Sequence, residues 1–165
     1  MRKQLLVLFG VVLCSLALAN ERIINGEAQP MNAYKKDVTL WYDAFSKKDP
    51  LLLDRILDEN WVDIPAAPTQ PPGPKGAKQI LLELATTFPD LKVSVQDVLQ
   101  DGNKVVVRSE ISGTQTRPFM GIPARNRKMV IQAVDIHEFK DGKIVRTWHT
   151  EDWMTGLRQL GAFDK

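Results

Sequence analysis

The spacing of hydrophobic positions changes once along the chain, from a helical period to a strand period. After Asn32, which is placed to cap a helix, Val38, Trp41, Tyr42 and Phe45 recur every three to four residues. SKKDP ends that helix. Asp49-Pro50 starts a second, with Asp49 as N-cap and Pro50 at the first helical position, and Leu52, Leu53, Ile56 and Leu57 form its buried face. Residues 61–64 suit a short strand. A third helix is predicted over 77–87 on Ile80, Leu81, Leu84 and Phe88, closed by Pro89. Beyond it the period falls to two. Residues 91–99, 104–114, 128–139 and 143 to about 152 read as strands, with tight turns at Gly102-Asn103 and Asp141-Gly142. Residues 157–160 suit a last helical turn.

Helices first and a meander afterwards is an α+β pattern. The expected architecture is a cone-shaped, curved antiparallel sheet packed against three N-terminal helices, with a pocket between the layers. Between strand 61–64 and the third helix lies PAAPTQPPGPKG, with five prolines in twelve residues. Each proline fixes φ and removes a donor, so this stretch is a linker or a rigid loop at a pocket rim.

The first twenty residues, MRKQLLVLFGVVLCSLALAN, change the picture of where the domain begins. Arg2 and Lys3 precede an apolar run, and Ala17-Leu18-Ala19 has the small-x-small form of a cleavage site. The run over 5–19 is shorter than the roughly 20 residues of a membrane span. Residues 1–19 are therefore expected to be a signal peptide cleaved after Ala19. A retained anchor is the alternative, and acylation at Cys14 is disfavoured by Val12-Leu13 before it. Residues 20–31 read as a flexible tether and 32–163 as the domain. The product would be periplasmic or secreted, with no membrane association after cleavage.

The formal charge of +2 loses Arg2 and Lys3 with the signal, so no basic surplus is left for phosphates. That argues against a nucleic-acid partner. Cys14 is the only cysteine, so the cleaved chain has neither a disulfide nor a thiol nucleophile.

The Asp141-Gly142 turn sets a register for the last hairpin, if the ladder is regular. Phe139 then faces Ile144, His137 faces Arg146, Asp135 faces Trp148 and Ala133 faces Thr150. This face combines Met129, Ile131, Phe139, Ile144 and Trp148 with few polar groups: Asp135, His137, Arg146, Thr150 and, by continued parity, Asp152. Such a wall suits a small-molecule pocket in which Trp148 would desolvate a carboxylate toward a general base. The alternative is a cross-strand ion pair of Asp135, His137 and Arg146 on a wet surface. Thr147, His149 and Glu151 fall on the opposite face. With the two histidines on opposite faces and no HxH or HExxH spacing, no metal site is expected. Trp41, Tyr42, Trp61 and Phe88 read as core, and Trp41, Trp61 and Phe119 are also candidates for the pocket wall. Arg108 and Glu110 read as solvated strand positions. No Gly-rich phosphate loop or Ser-His-Asp arrangement is present.

The order FPDLKVSVQDV, SGTQTRPFMGIP, VDIHEFKDGKIVRTWHTEDWMTGLRQLG resembles the SnoaL-like polyketide cyclase (ester cyclase) family, within the nuclear transport factor 2-like superfamily of α+β cones. The resemblance spans 32–161. It implies proton transfer at carbon without a cofactor, as in intramolecular ring closure or isomerisation, with hydrolysis or dehydration in the same pocket as alternatives. The aspartate of W-x-x-x-D, Asp152, would be the acid/base, His137 its hydrogen-bond or electrophilic partner, and Asp135 would orient His137. It also implies a small hydrophobic ligand and a homodimer formed through the sheet. Many relatives have a histidine where this chain has Gln115, and a glycine near Arg117-Pro118, so the polyketide substrate does not carry over. Two other functions suit the same residues: a non-catalytic carrier of a hydrophobic molecule, and an interaction domain with a vestigial pocket.

Overall fold

The computed structural model describes residues 21–24, 27–30 and 34–164. The expected export signal and the Asn32 cap lie outside the described residues. Within the expected tether, β1 (Glu21–Ile24) and β2 (Glu27–Pro30) form an antiparallel pair.

The domain begins with a turn over 34–38 that leads into α1 (Thr39–Lys47), which stops at Lys48 in the left-handed region at φ 56°. Next come α2 (Leu51–Ile56), β3 (Leu57–Ile64) and α3 (Pro74–Thr87). The meander is β4 (Lys92–Asp101), β5 (Lys104–Thr114), β6 (Lys128–Lys140) and β7 (Lys143–Glu151), and α4 (Trp153–Leu160) follows. The expected last turn is therefore a two-turn helix. Its start is fixed by Asp152, whose carboxylate accepts from the Thr155 backbone N–H at 3.0 Å. Among the described residues no helix is long and apolar enough to cross a membrane.

The five strands lie in the order β3-β7-β6-β5-β4. Hairpin turns force β4 to β7 to alternate in direction. No hairpin ties β3 to its neighbour, and it runs parallel to β7, pairing Asp63 with Thr147 and Ile64 with Trp148. The sheet is mixed, where a wholly antiparallel one was expected. Val38, Tyr42, Leu53, Ile56 and Leu81 pack onto Val105, Val107, Phe139 and Ile144 to make the main core. A second cluster of Phe88, Leu91, Ile122, Met129 and Leu160 lies under α4.

One irregularity decides which side chains reach the interior. At the β6–β7 turn, Asp141 and Gly142 both take positive φ, 51° and 77°, as a two-residue hairpin turn requires. Phe139 pairs with Ile144 as expected, but Glu138 pairs with Arg146, so Val145 is an extra residue on β7. This bulge moves every later β7 side chain to the other face. Beyond it His137 faces Thr147, Ile136 faces Trp148, Asp135 faces His149 and Ala133 faces Glu151. The regular-ladder reading is thus corrected from Arg146 onward. Thr147, His149 and Glu151 turn inward, and Arg146 and Trp148 turn outward. The burial of β7 records the slip, since Ile144 and Thr147, three residues apart, are both fully buried.

Candidate functional site

A cavity of about 90 Å³ lies between the inner face of the sheet and helices α1 and α3, enough for several water molecules or a small head group. Trp41, Phe45, Ile80, Leu84, Val93 and Met129 make it apolar, and Tyr42, Trp61, Asp63, Ser109, Asp135, His149 and Glu151 supply its polar atoms. Asp63, His149, Glu151 and Trp153 also line a larger outer cleft of about 1160 Å³. With Ile80 and Leu84, which also line both spaces, they form the neck between the two. The proline-rich stretch forms part of the outer wall through Pro65, Pro68 and Gln70, opposite Phe119 and Met120.

At the neck, His149 is held between acceptors on both ring nitrogens. Nδ1 lies 2.9 Å from Glu151 Oε1, and Nε2 lies 3.0 Å from the Pro65 carbonyl oxygen and 3.3 Å from Asp63 Oδ1. A carboxylate and a carbonyl can only accept, so both nitrogens carry protons and the ring is an imidazolium. Burial works against that charge, but the Asp63 and Glu151 carboxylates on the two sides of the ring outweigh it and raise His149 to about 11. The rim is tied to the same group. Gln70 Nε2 donates to Asp63 Oδ2 at 2.9 Å, and Trp153 Nε1 donates to Glu151 Oε2 at 3.2 Å.

In and behind the cavity wall, five side chains form a chain of hydrogen bonds with one direction. The Trp61 indole N–H can only donate, and it points at Thr147 Oγ1, 3.0 Å away. Thr147 Oγ1 is 3.0 Å from His137 Nδ1, and His137 Nε2 is 2.9 Å from the Tyr42 hydroxyl. The Tyr42 hydroxyl donates to Asp135 Oδ2 at 2.7 Å. Tyr42 has one proton and gives it to Asp135, so it accepts from His137 Nε2–H. His137 is then the neutral Nε2–H tautomer, and its Nδ1 accepts from Thr147. Every donor in the series points toward Asp135.

The pKa directions agree with this arrangement. Burial, with help from the positive His149, depresses His137 to about 3, so it is neutral over the physiological range. Burial also raises Asp135 to about 6, opposed by the Tyr42 hydrogen bond, with Glu151 adding to the rise, His149 opposing it and Asp63 adding to it. Tyr42 is pushed well above 10 by burial and by the Asp135 charge and hydrogen bond. Asp135 thus titrates at about 6 with a proton donor already bound to one oxygen.

The residues expected from sequence divide between two places. Asp135 and His137 come together through Tyr42, with Asp135 on the cavity wall, and Trp41 and Trp61 line the cavity beside them. Phe119 lines the outer cleft and packs edge-on against Phe88, with centroids 5.2 Å apart. Asp152 is an exposed helix cap on neither space, and its hydrogen bonds to Thr155 hold it below the usual carboxylate range. Trp148 and Arg146 lie on the outer face. The Trp148 ring receives the Lys104 ammonium at 5.1 Å and the Arg146 guanidinium at 5.3 Å, while Arg146 also pairs with Glu138 at 2.8 Å. Neither side chain desolvates Asp135.

Sequence reasoning missed Asp63, Ser109, Thr147, His149 and Glu151 as inward groups and took Tyr42 as plain core. Trp61 and Asp63 share strand parity, which could have pointed to Asp63. Nothing local marks Val145 as a bulge. Among the described residues no group of His, Cys, Asp or Glu side chains is placed to hold a metal ion.

Residues 36–160 match the family model described as SnoaL-like polyketide cyclase. TsrD from Streptomyces laurentii is similar at 30% identity and a TM-score of 0.73, over 78% of this chain and 95% of that one. IdmH from Streptomyces antibioticus, described as a candidate polyketide cyclase, is similar at 28% identity and a TM-score of 0.68, over 78% and 99%. A candidate polyketide cyclase from Bacillus cereus is similar at 28% identity and a TM-score of 0.67, over 76% and 78%. No protein of curated function matches the sequence.

Proposed function

This chain belongs to the SnoaL-like polyketide cyclase family, and on that premise we propose that it catalyses cofactor-independent proton transfer at a carbon beside a carbonyl, with Asp135 as the base. The observation that supports this reading is the Asp135 carboxylate on an apolar cavity wall, one oxygen held by Tyr42 and an imidazolium across the strand. The ionised carboxylate takes the carbon-bound proton, and the C–H electron pair moves onto the carbonyl oxygen as an enolate. His149 and its charge stabilise that oxygen electrostatically. In a cyclisation the enolate carbon attacks a second carbonyl of the same molecule, and the proton on Asp135 passes to the new alkoxide. In an isomerisation the proton returns to a different carbon. Neither sequence needs an oxidant or a co-substrate.

His137 serves this base through Tyr42 and does not reach the substrate, so it is a positioning residue. The test is deuterium wash-in. Small β-keto esters with apolar tails are incubated in D2O with the wild type and with Asp135→Asn, and exchange at the acidic carbon is followed by proton NMR. Acceleration by the wild type alone supports the assignment. Equal rates with both proteins contradict it, and tight binding without exchange in either favours the carrier function.

Export and dimer formation belong to the same proposal. Export rests on residues 1–19, and mass spectrometry of the protein isolated from the periplasm or medium tests cleavage after Ala19. A homodimer through the sheet is supported by Val62, Val130 and Val134, which are 46%, 37% and 37% exposed, and light scattering in solution tests it.

A further inference from the structure

Two buried polar atoms on the cavity wall have no hydrogen-bond partner among the described residues: Ser109 Oγ and Asp63 Oδ1. His149 Nε2 lies 3.3 Å from Asp63 Oδ1 and gives it charge. The proton on that nitrogen is directed at the Pro65 carbonyl oxygen, so Asp63 Oδ1 receives no aimed donor. Leaving such groups buried and unpaired costs stability. An apolar cavity would lose less by having alanine at 109.

We propose that Ser109 and Asp63 are the recognition atoms for the polar head of the ligand, a carbonyl compound that also bears a hydroxyl or other N–H or O–H donor. The Ser109 hydroxyl donates to the carbonyl oxygen, and Asp63 Oδ1 accepts from the ligand's donor. Placement on the sheet fits this division. Ser109 pairs with Ala133, two residues from Asp135 along the same face of β6, so it is a diagonal neighbour of the proposed base at roughly 7–8 Å between backbones. An H–C–C=O unit can bridge those side chains, with its proton at Asp135 and its oxygen at Ser109. Ala133 has only a methyl group, which leaves room between Ser109 and Glu151. On the other side of the head, Asp63 stands at the neck, so the ligand's donor group marks the point where the molecule passes into the outer cleft. A cavity of about 90 Å³ holds only such a head, and the cleft of about 1160 Å³ takes the remainder. Pro65, Pro68, Ile80, Leu82, Phe119 and Met120 line that cleft, and they suit an apolar tail.

The assignment deepens the proton-transfer reading, and it is tested by binding alone so that the two can fail separately. The probes are an apolar-tailed 3-hydroxy ketone and its 3-deoxy analogue, titrated calorimetrically into the full chain. Wild type should prefer the hydroxy ketone. Asp63→Asn presents an amide N–H at that position and should lose the preference. Ser109→Ala should weaken both probes alike, by roughly two- to tenfold, without lowering the melting temperature, because the hydroxyl has no protein partner to lose. Unchanged affinity in Ser109→Ala, or an undiminished preference in Asp63→Asn, overturns the proposal. A melting temperature that falls in Ser109→Ala also overturns it, since it reveals a structural partner. If Asp135→Asn binds both probes normally and the wild type exchanges no deuterium, recognition stands and the catalytic reading falls.

Discussion

Asp135 and His149 face each other across the β6–β7 ladder, and both side chains enter one cavity. The pairing places a carboxylate that ionises at about 6 opposite a ring that stays an imidazolium through the neutral range. The base is weak enough to hold a proton and strong enough to take one. Glu151 and His149 act on it with opposite signs, Glu151 raising it and His149 lowering it. Glu151→Gln should therefore shift the rise of deuterium exchange with pH to lower pH, and His149→Gln should shift it to higher pH. Rate profiles for the two variants check this, and shifts of the same sign contradict it.

The five-residue chain ending at Asp135 makes Tyr42 and Thr147 structurally expensive to alter. Tyr42→Phe removes the partner of a buried imidazole N–H and of a carboxylate oxygen at once. Thr147→Val does the same for Trp61 and His137. Each should cost about 1–3 kcal/mol or more, measured by urea denaturation. Thr147→Ser keeps the oxygen and should recover most of the loss. Tyr42→Phe should also move the exchange profile to higher pH, because the Tyr42 hydrogen bond lowers Asp135. A merely structural Tyr42 would leave the profile where it is.

The pH dependence of stability follows from the same groups. His137 is depressed from 6.5 to about 3, so between those values the unfolded chain binds more protons and stability rises with pH. Asp135 is raised from 3.8 to about 6, so its contribution falls with pH across that narrower window and offsets the gain there, leaving a net rise below 3.8 and between 6 and 6.5. His149 is raised to about 11. Its contribution is fully present below 6.5 and is lost as pH rises from there toward about 11. Urea midpoints measured from pH 3.5 to 9 should therefore rise to a maximum near pH 6.5 and decline above it. In Asp135→Asn the opposing carboxylate is gone, so a curve for that variant that is flat between 3.5 and 6 contradicts the buried neutral state of His137.

Residues outside the two spaces should separate stability from chemistry. Asp152→Ala removes the α4 cap and should lower the melting temperature, with Asp152→Asn, itself a good cap, doing much less. Neither should change exchange. Trp148→Ala loses a half-buried cation–π contact of modest strength on the outer face and should leave probe affinity unaltered. Thermal denaturation and calorimetry check both, and abolished exchange in Asp152→Asn contradicts the placement of the base.

The helices and strands were legible because their periods were clean, and the rim loop because prolines exclude regular structure. The face of β7 was not. Hydropathy favours Trp148 inside and His149 outside, and a regular ladder gives the same parity. The bulge at Val145 reverses both. A strand that lines a polar site inverts the usual pattern, turning its charged residues inward and its large ring outward, so burial preference misleads where the site is built. Asp63 was hidden for another reason. It reaches His149 only through the parallel pairing of β3 with β7, a contact between segments about half the chain apart that no local spacing records. Asp135 and His137, on the regular strand β6, were readable from sequence as inward groups.

The measurement that bears most directly on Asp135 as the base needs no substrate. The protein is labelled with carbon-13 at aspartate carboxyls, Asp135 is assigned by comparison with Asp135→Asn, and its shift is followed from pH 3 to 9. We predict a midpoint near 6 that falls in Glu151→Gln. A midpoint at the ordinary value near 4, unmoved in that variant, would contradict it.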